Sequence, residues 1–203
     1  PFMAFVPVPE ILKELRRGGV VLLLDSREKG SLGDIVCAAE KVTAKTINFM
    51  ASEAKGLIRI SLPASRCEEL QLEIQARDPD FPLQKAFTIS IDARDLPASG
   101  ISASSRVKTI RAAINPDCKP MDLVRPGHVL PLRARAGGVL IRAGKTEGSM
   151  DLARMAGLSP AGVLCEVLDS KGESMRLAQL KRFAKLHDIK MCTILDLIEY
   201  RLV

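Results

Sequence analysis

The chain has 203 residues, 47% of them hydrophobic and 27% charged, which supports a substantial core and excludes a disordered chain. Thirty Lys and Arg against twenty-four Asp and Glu leave a net charge of +6, mildly favourable to an anionic ligand. Only 3% of residues are aromatic, Trp is absent, and no basic run approaches roughly five residues, so neither a base-stacking platform nor a nucleic-acid tail is expected.

The predicted elements follow in chain order. Ile11 to Arg17, after Pro9, reads as a short helix stopped by Gly18-Gly19, and Val20 to Leu24 as a buried strand. That apolar run falls far short of the roughly 18 residues of a membrane span. Pro1 to Arg16 carries no signal-peptide pattern, so neither membrane nor secretory targeting is expected. Asp25 to Asp34 is a polar, Gly-containing loop, Ile35 to Ala39 an apolar stretch, and Thr43 to Ala51 a helix. Leu57 to Leu62 and Phe87 to Asp92 alternate as strands around a loop at Asp78-Pro79-Asp80-Phe81-Pro82. Ser105 to Ile114 is a helix, Gly138 to Ile141 a strand, Arg142 to Thr146 a loop and Glu147 to Ala156 a helix. Val163 to Val167 is a strand, Arg176 to Leu186 an amphipathic helix and Cys192 to Leu195 a last short strand. No repeat or low-complexity linker divides the chain, so one α+β domain over residues 1–203 is expected.

Five cysteines, Cys37, Cys67, Cys118, Cys165 and Cys192, show no Cys-x-x-Cys or Cys/His ligand spacing. Scattered in apolar segments, they read as small core residues of a reducing compartment, here the cytoplasm.

Three polar segments lie beside buried apolar runs, where loops commonly carry function: Asp25 to Asp34, Arg125-Pro126-Gly127-His128, and Arg142 to Glu147. Gly144-Lys145-Thr146 is not a P-loop, because the residue five positions before Gly144 is Val139 rather than Gly. The fragment reads either as a phosphate cradle of helix amides with Arg142, Lys145 and Thr146, or as a helix start capped by Thr146 with solvated cations. His187 closes the amphipathic helix and reads as a surface or helix-dipole residue. His128 is either a packed loop histidine or a catalytic one. Glu166, inside the apolar run Gly162 to Val167, needs a partner or a raised pKa, so it is either a general acid/base group or an edge-of-strand salt bridge.

Three stretches resemble the 3,4-dihydroxy-2-butanone 4-phosphate synthase family of riboflavin biosynthesis. They are Arg125-Pro126-Gly127-His128-Val129-Leu130-Pro131-Leu132, the run from Gly138 through Thr146-Glu147, and Pro160-Ala161-Gly162-Val163-Leu164-Cys165-Glu166. Gly100-Ile101-Ser102-Ala103 with Arg106 and Thr109, and Phe183-Ala184 with His187, fit the same family, so the resemblance covers about Pro9 to Arg201. It implies an α+β fold, a homodimer with sites near the interface, magnesium as cofactor, and conversion of ribulose 5-phosphate into a four-carbon phosphate and formate. It also implies His128 and Glu166 as catalytic residues, Asp34 as a substrate contact, and Arg142, Gly144 and Thr146 on the phosphate side. The chain ends at Val203, so no fused cyclohydrolase domain is expected.

The departures from the family pattern bear on mechanism. The family's first loop has Arg-Glu-Asn-Glu before Gly-Asp, whereas this chain has Lys29-Gly30-Ser31-Leu32 before Gly33-Asp34. The loop's Arg becomes Lys29, a substrate-binding candidate, and the metal-binding Glu falls on Gly30. The His of Gly-His-Thr-Glu, the second metal ligand, falls on Lys145, and Ser105 stands where Asp usually precedes Arg106. A hard dication wants oxygen donors and an ammonium repels it, so no metal ligand and no cofactor are expected. Magnesium remains the cofactor if a shifted loop brings Arg27-Glu28 into play or a water-rich site survives on Asp34 and Glu28. The expected function is a divergent, synthase-like lyase acting on ribulose 5-phosphate or a related phosphorylated small molecule. His128, Glu166 and Lys145 are its catalytic candidates, Lys145 acting as an oxyanion-stabilising ammonium or a Schiff-base amine. The alternatives are a silent ligand- or partner-binding homologue and an ordinary magnesium-dependent synthase.

Overall fold

The computed structural model describes residues 5–75, 86–96 and 99–203. Its centre is a seven-stranded mixed sheet in the order β4-β5-β3-β6-β2-β1-β7. The strands are β1 (Val21–Leu24), β2 (Gly33–Ala38), β3 (Lys55–Pro63), β4 (Ile91–Ala93), β5 (Leu123–Ala134), β6 (Gly162–Val167) and β7 (Met191–Thr193). β1 and β2, β2 and β6, β3 and β6, and β4 and β5 pair antiparallel, while β1 with β7 and β3 with β5 run parallel.

The helices are α1 (Val8–Arg16), α2 (Ala44–Phe49), α3 (Ala64–Glu69), α4 (Ala103–Ile114), α5 (Lys145–Met155), α6 (Leu177–Leu186) and α7 (Ile194–Leu202). They cover both faces of the sheet, which explains why β1 and β2 are buried at every position: side chains alternate between two buried cores. Leu22, Leu24, Ile35, Cys37, Val163 and Cys165 pack with Ile47 of α2, Ile110 of α4 and Leu180 and Phe183 of α6. Val21, Leu23, Val36 and Leu164 pack instead with Ile11 and Leu15 of α1, Leu152 of α5 and Leu197 of α7. The α+β fold, the N-terminal helix and strand, the amphipathic α6 and the strand at Val163 to Val167 agree with the sequence-based expectation.

Four expectations are corrected. Gly138–Leu140 is a 3-10 turn rather than a strand, because Gly137 and Gly138 adopt φ of 93° and 66°, and a Cβ on Gly138 would lie 2.2 Å from the Asp151 carboxylate. Arg125 to His128 is no loop but part of the long β5, which contains a cis Arg125–Pro126 bond. The apolar tail after Cys192 is mostly helix: the Thr193 hydroxyl accepts from Asp196 N at 3.1 Å, and the Asp196 carboxylate accepts from Thr193 N at 2.8 Å, a reciprocal cap that starts α7. Phe87 and Thr88 form only isolated bridges, and β4 begins at Ile91. The expected loop at Asp78 to Pro82 lies outside the described residues.

Candidate active site

The polar candidates gather at one end of the sheet, on the face covered by α1, α5 and α7. Asp34 on β2 is the antiparallel partner of Glu166 on β6, so both side chains leave the sheet on the same side. Asp34 therefore belongs to a strand, not to the preceding loop. The next strand, β3, contributes Arg59, which pairs with Leu164 of β6 and Leu130 of β5. His128 lies two residues before Leu130 on β5. Four adjacent strands, β2, β6, β3 and β5, thus carry Asp34, Glu166, Arg59 and His128 toward one region.

Asp34 is the electrostatic centre. It is completely buried, and a buried carboxylate is tolerable only when paired. Arg59, whose side chain is 4% exposed, donates through NH2 to Asp34 Oδ2, and its Nε donates to Leu57 O at 3.2 Å. Oδ1 accepts no hydrogen bond among the described residues, but Lys145 Nζ stands 3.3 Å from it. The same ammonium, 9% exposed, lies 3.1 Å from Asp25 Oδ2 at the end of β1. Lys145 is the first residue of α5, where the positive end of the helix dipole disfavours a cation. The two carboxylates outweigh that penalty and fix the ammonium between β1 and β2.

The rest of the Gly-Lys-Thr segment is arranged differently from either sequence reading. Gly144, not Thr146, is the helix N-cap, and Thr146 is buried in the first turn with no capping bond. Arg142 NH1 donates to the buried Glu147 Oε2 at 2.7 Å, while Glu147 Oε1 accepts from Arg135 N at 3.0 Å. Arg142 is thus at least partly committed to holding the turn that leads into α5. In the first loop, Lys29 and Gly30 are exposed, and Arg27 pairs with Asp196 of α7 at 2.9 Å while lying 4.7 Å over the Phe5 ring. Arg27 is therefore taken up by α7, which speaks against a shifted Arg27-Glu28 pair filling the loop's role.

On the other side of β3, His128 forms a dyad with Asp92 of β4. Asp92 Oδ2 lies 2.7 Å from His128 Nδ1, and Oδ1 accepts from the His128 backbone N–H at 3.0 Å. The carboxylate can only accept, so Nδ1 donates to it, and in the neutral imidazole Nε2 is the basic nitrogen. The imidazole is 42% exposed. Gly100 permits this arrangement, since a Cβ there would lie 2.1 Å from Asp92 Oδ2. Glu166 is half-buried and accepts from Ser174 Oγ at 2.6 Å. On the opposite face, Ser105 N donates to Ser102 Oγ at 3.1 Å in the cap of α4, and Arg106 Nε is buried without a hydrogen-bond partner among the described residues.

His187 is not simply a surface residue. It stacks 4.4 Å from Phe183 and 5.2 Å from Phe49, and its Nε2 lies 3.7 Å from Glu53. The five cysteines are free and buried, as expected. Burial pushes the Cys37 and Cys165 thiols up to about 12 and Cys67 to about 11, so they are packing groups rather than nucleophiles.

Sequence reasoning missed Arg59, Asp92, Asp25 and Ser174. Arg59 sits in Leu57-Ile58-Arg59-Ile60 and Asp92 in Ile89-Ser90-Ile91-Asp92-Ala93. A lone charge in an apolar strand needs a partner, the argument that singled out Glu166, and it would have flagged both.

A family model described as 3,4-dihydroxy-2-butanone 4-phosphate synthase matches residues 9–200. The chain belongs to the 3,4-dihydroxy-2-butanone 4-phosphate synthase family. It is 50% identical over 200 residues to the riboflavin biosynthesis protein RibBA of Aquifex aeolicus, covering 98% of this chain and 49% of that protein. It is 44% identical over 195 residues to the 3,4-dihydroxy-2-butanone 4-phosphate synthase of Vibrio cholerae, covering 96% and 89%. Among solved structures, the two-domain synthase RibBX of A. baumannii superposes with a TM-score of 0.90 at 42% identity, covering 97% of this chain and 58% of that one. A family structure in complex with two magnesium ions superposes at 0.88 with 34% identity, covering 97% and 96%. The chain spans about half the length of several curated relatives it matches. The α+β architecture is that of these synthase structures. No described helix is long and apolar enough to cross a membrane.

Proposed function

We propose that this chain is a divergent, synthase-like lyase acting on ribulose 5-phosphate or a related phosphorylated small molecule, with the Lys145 ammonium where a divalent metal would stand. The observation that carries this is the position of Lys145 Nζ, 3.1 Å from Asp25 and 3.3 Å from Asp34. Magnesium demands a near-octahedral set of oxygen donors. Here both oxygens of Asp34 face cations, and the Lys145 ammonium stands between Asp34 and Asp25, so the two carboxylates that could ligate a dication are already turned toward fixed positive charge. The residues present do not fit a dication, and no step is routed through one.

His128 Nε2, with Nδ1 held by Asp92, takes the proton from a carbon next to the substrate ketone. Lys145 stabilises the oxyanion that develops as the proton leaves. Its flanking carboxylates support an electrostatic role rather than a Schiff base. Glu166, poised by Ser174, is the second proton-transfer group. His128 and Glu166 lie on strands flanking β3, two strand spacings or roughly 10 Å apart, so they address different carbons of an extended substrate. The first-turn amides of α5, Thr146 and the exposed Lys29 receive the phosphate, Gly144 lets the turn close on Arg142, and Arg142 holds that turn in place.

The working form is a homodimer, a reading supported by the exposed Leu57 and Ile101 near the site. The five unpaired thiols support the cytoplasm as its compartment. One observation favours a second reading: with Asp34 enclosed between two internal cations, the chain would bind a phosphorylated ligand without turning it over.

Formate release from ribulose 5-phosphate, with magnesium and then with excess chelator, tests the proposal. Chelator-resistant formate is expected. Formate only with magnesium would return the chain to ordinary synthase chemistry, and tight ligand binding with no formate would favour the silent binder.

A further inference from the structure

Arg59 is the most deeply buried cation near the proposed site, and its hydrogen bonds are incomplete. Its Nε is used by Leu57 O and its NH2 by Asp34 Oδ2, but NH1 donates to nothing among the described residues. Arg125 Nε and Arg106 Nε are sealed from solvent, whereas Arg59 NH1 is not among the sealed atoms. A guanidinium that is 4% exposed as a whole and keeps one N–H group neither bonded nor sealed has a donor left for a ligand. The open N–H lies on β3, between the strands that carry Glu166 and His128. Arg59 and Lys145 grip the two oxygens of the same Asp34 carboxylate, so two cations converge around one buried anion and outnumber it. Asp25, on the far side of Lys145, is half exposed and offsets the ammonium only from the rim.

We infer that Arg59 is a specificity-determining residue: its NH1 and the Lys145 ammonium together receive a delocalised oxyanion of the ligand, such as an enediolate or a carboxylate. The site then selects phosphorylated molecules with a planar anionic head over phosphorylated polyols of the same length. This rests on the proposed phosphorylated-ligand reading and deepens it by naming the chemistry of the ligand's other charged group. Asp34 is the anchor that orients both cations, and the ligand touches the cations rather than the carboxylate.

Isothermal titration of the whole chain in excess chelator tests this, with erythronate 4-phosphate as the anionic probe and erythritol 4-phosphate as its neutral-headed counterpart. The aldonate should bind at least tenfold more tightly to the unmodified chain. Arg59→Met should cut that preference to less than threefold while leaving the affinity for erythritol 4-phosphate within twofold. Because Arg59→Met leaves the buried Asp34 carboxylate to Lys145 alone, the more polar Arg59→Gln, which keeps Asp34 and Lys145 in place, is made alongside it and should show the same lost preference. Arg59→Lys, which keeps the charge but not the fork, should retain an intermediate preference. Equal affinity of the unmodified chain for the two probes, or a preference that survives both variants, overturns the role of Arg59 and leaves the proposed ligand class standing. Binding of neither probe overturns both.

Discussion

The two sides of β3 solve different problems. On the β4–β5 side, His128 is 42% exposed, is oriented by one carboxylate and keeps a free ring nitrogen. On the β2–β6 side, Asp34 is fully buried and both of its oxygens face cations of the chain itself. The first arrangement suits proton transfer, which needs an oriented group with spare capacity. The second suits charge stabilisation without an added ion, because the cations are already in place when the ligand arrives. The contrast shows that similar polar residues at one sheet end suit different roles according to whether they are open to solvent or enclosed among cations of the chain.

That contrast can be broken at either side. The largest effect is expected from His128→Asn, which should lower turnover by about 10²–10⁴-fold while leaving the thermal midpoint nearly unchanged, since the ring is exposed. Formate release with a parallel melting curve checks it, and a large drop in midpoint would mean the dyad is structural. Asp34→Ala should do the reverse and act first on stability. It leaves Arg59 buried and unpaired, costing about 3–5 kcal/mol in urea denaturation. A cost under about 1 kcal/mol would mean the Arg59–Asp34 pair is readily rehydrated.

A sharper comparison exchanges the charge-stabilising side for a metal-binding one. Gly30→Glu meets nothing within 4 Å of the added Cβ, so the exposed loop has room for it. Combined with Lys145→His, it should create magnesium binding measurable by calorimetry. No affinity in the double variant would show that more than these two residues separates the site from a metal centre. The smallest effect concerns the thiols. With Cys37 and Cys165 pushed up to about 12 by burial, the folded chain holds their protons well above the ordinary thiol value of 9.0. Their contribution to stability is complete below pH 9 and is lost as pH rises from there toward 12, so urea midpoints should fall across that window. Native thiols should also react slowly with Ellman's reagent at pH 8, and rapid labelling of all five would contradict their placement in the core.

The sequence made the doubly buried strands legible, because runs such as Val21–Leu24 have few other uses. It hid β5, whose first residues, Leu123-Val124-Arg125-Pro126-Gly127-His128, look like a loop until β4 pairs with them. It also hid α7, where Thr193 and Asp196 form a cap that a strand reading of Cys192 to Leu195 overlooks. At the site, Asp34, Lys145, His128 and Glu166 were visible through family-like motifs. Their partners were not, since Arg59 is 25 residues from Asp34, and His128 is 36 from Asp92. Ion pairs between strands leave no spacing pattern. Only the fold joins their ends.

The most direct test of the central claim is formate release from ribulose 5-phosphate in excess chelator, comparing the unmodified chain with Lys145→Met. The methionine is close in size and leaves Asp34 paired with Arg59, so the fold should survive. Turnover that persists in chelator and falls by about 10²–10³-fold in the variant is the predicted result. Equal turnover in the two proteins, or turnover abolished by the chelator in the unmodified chain, would contradict a built-in cation.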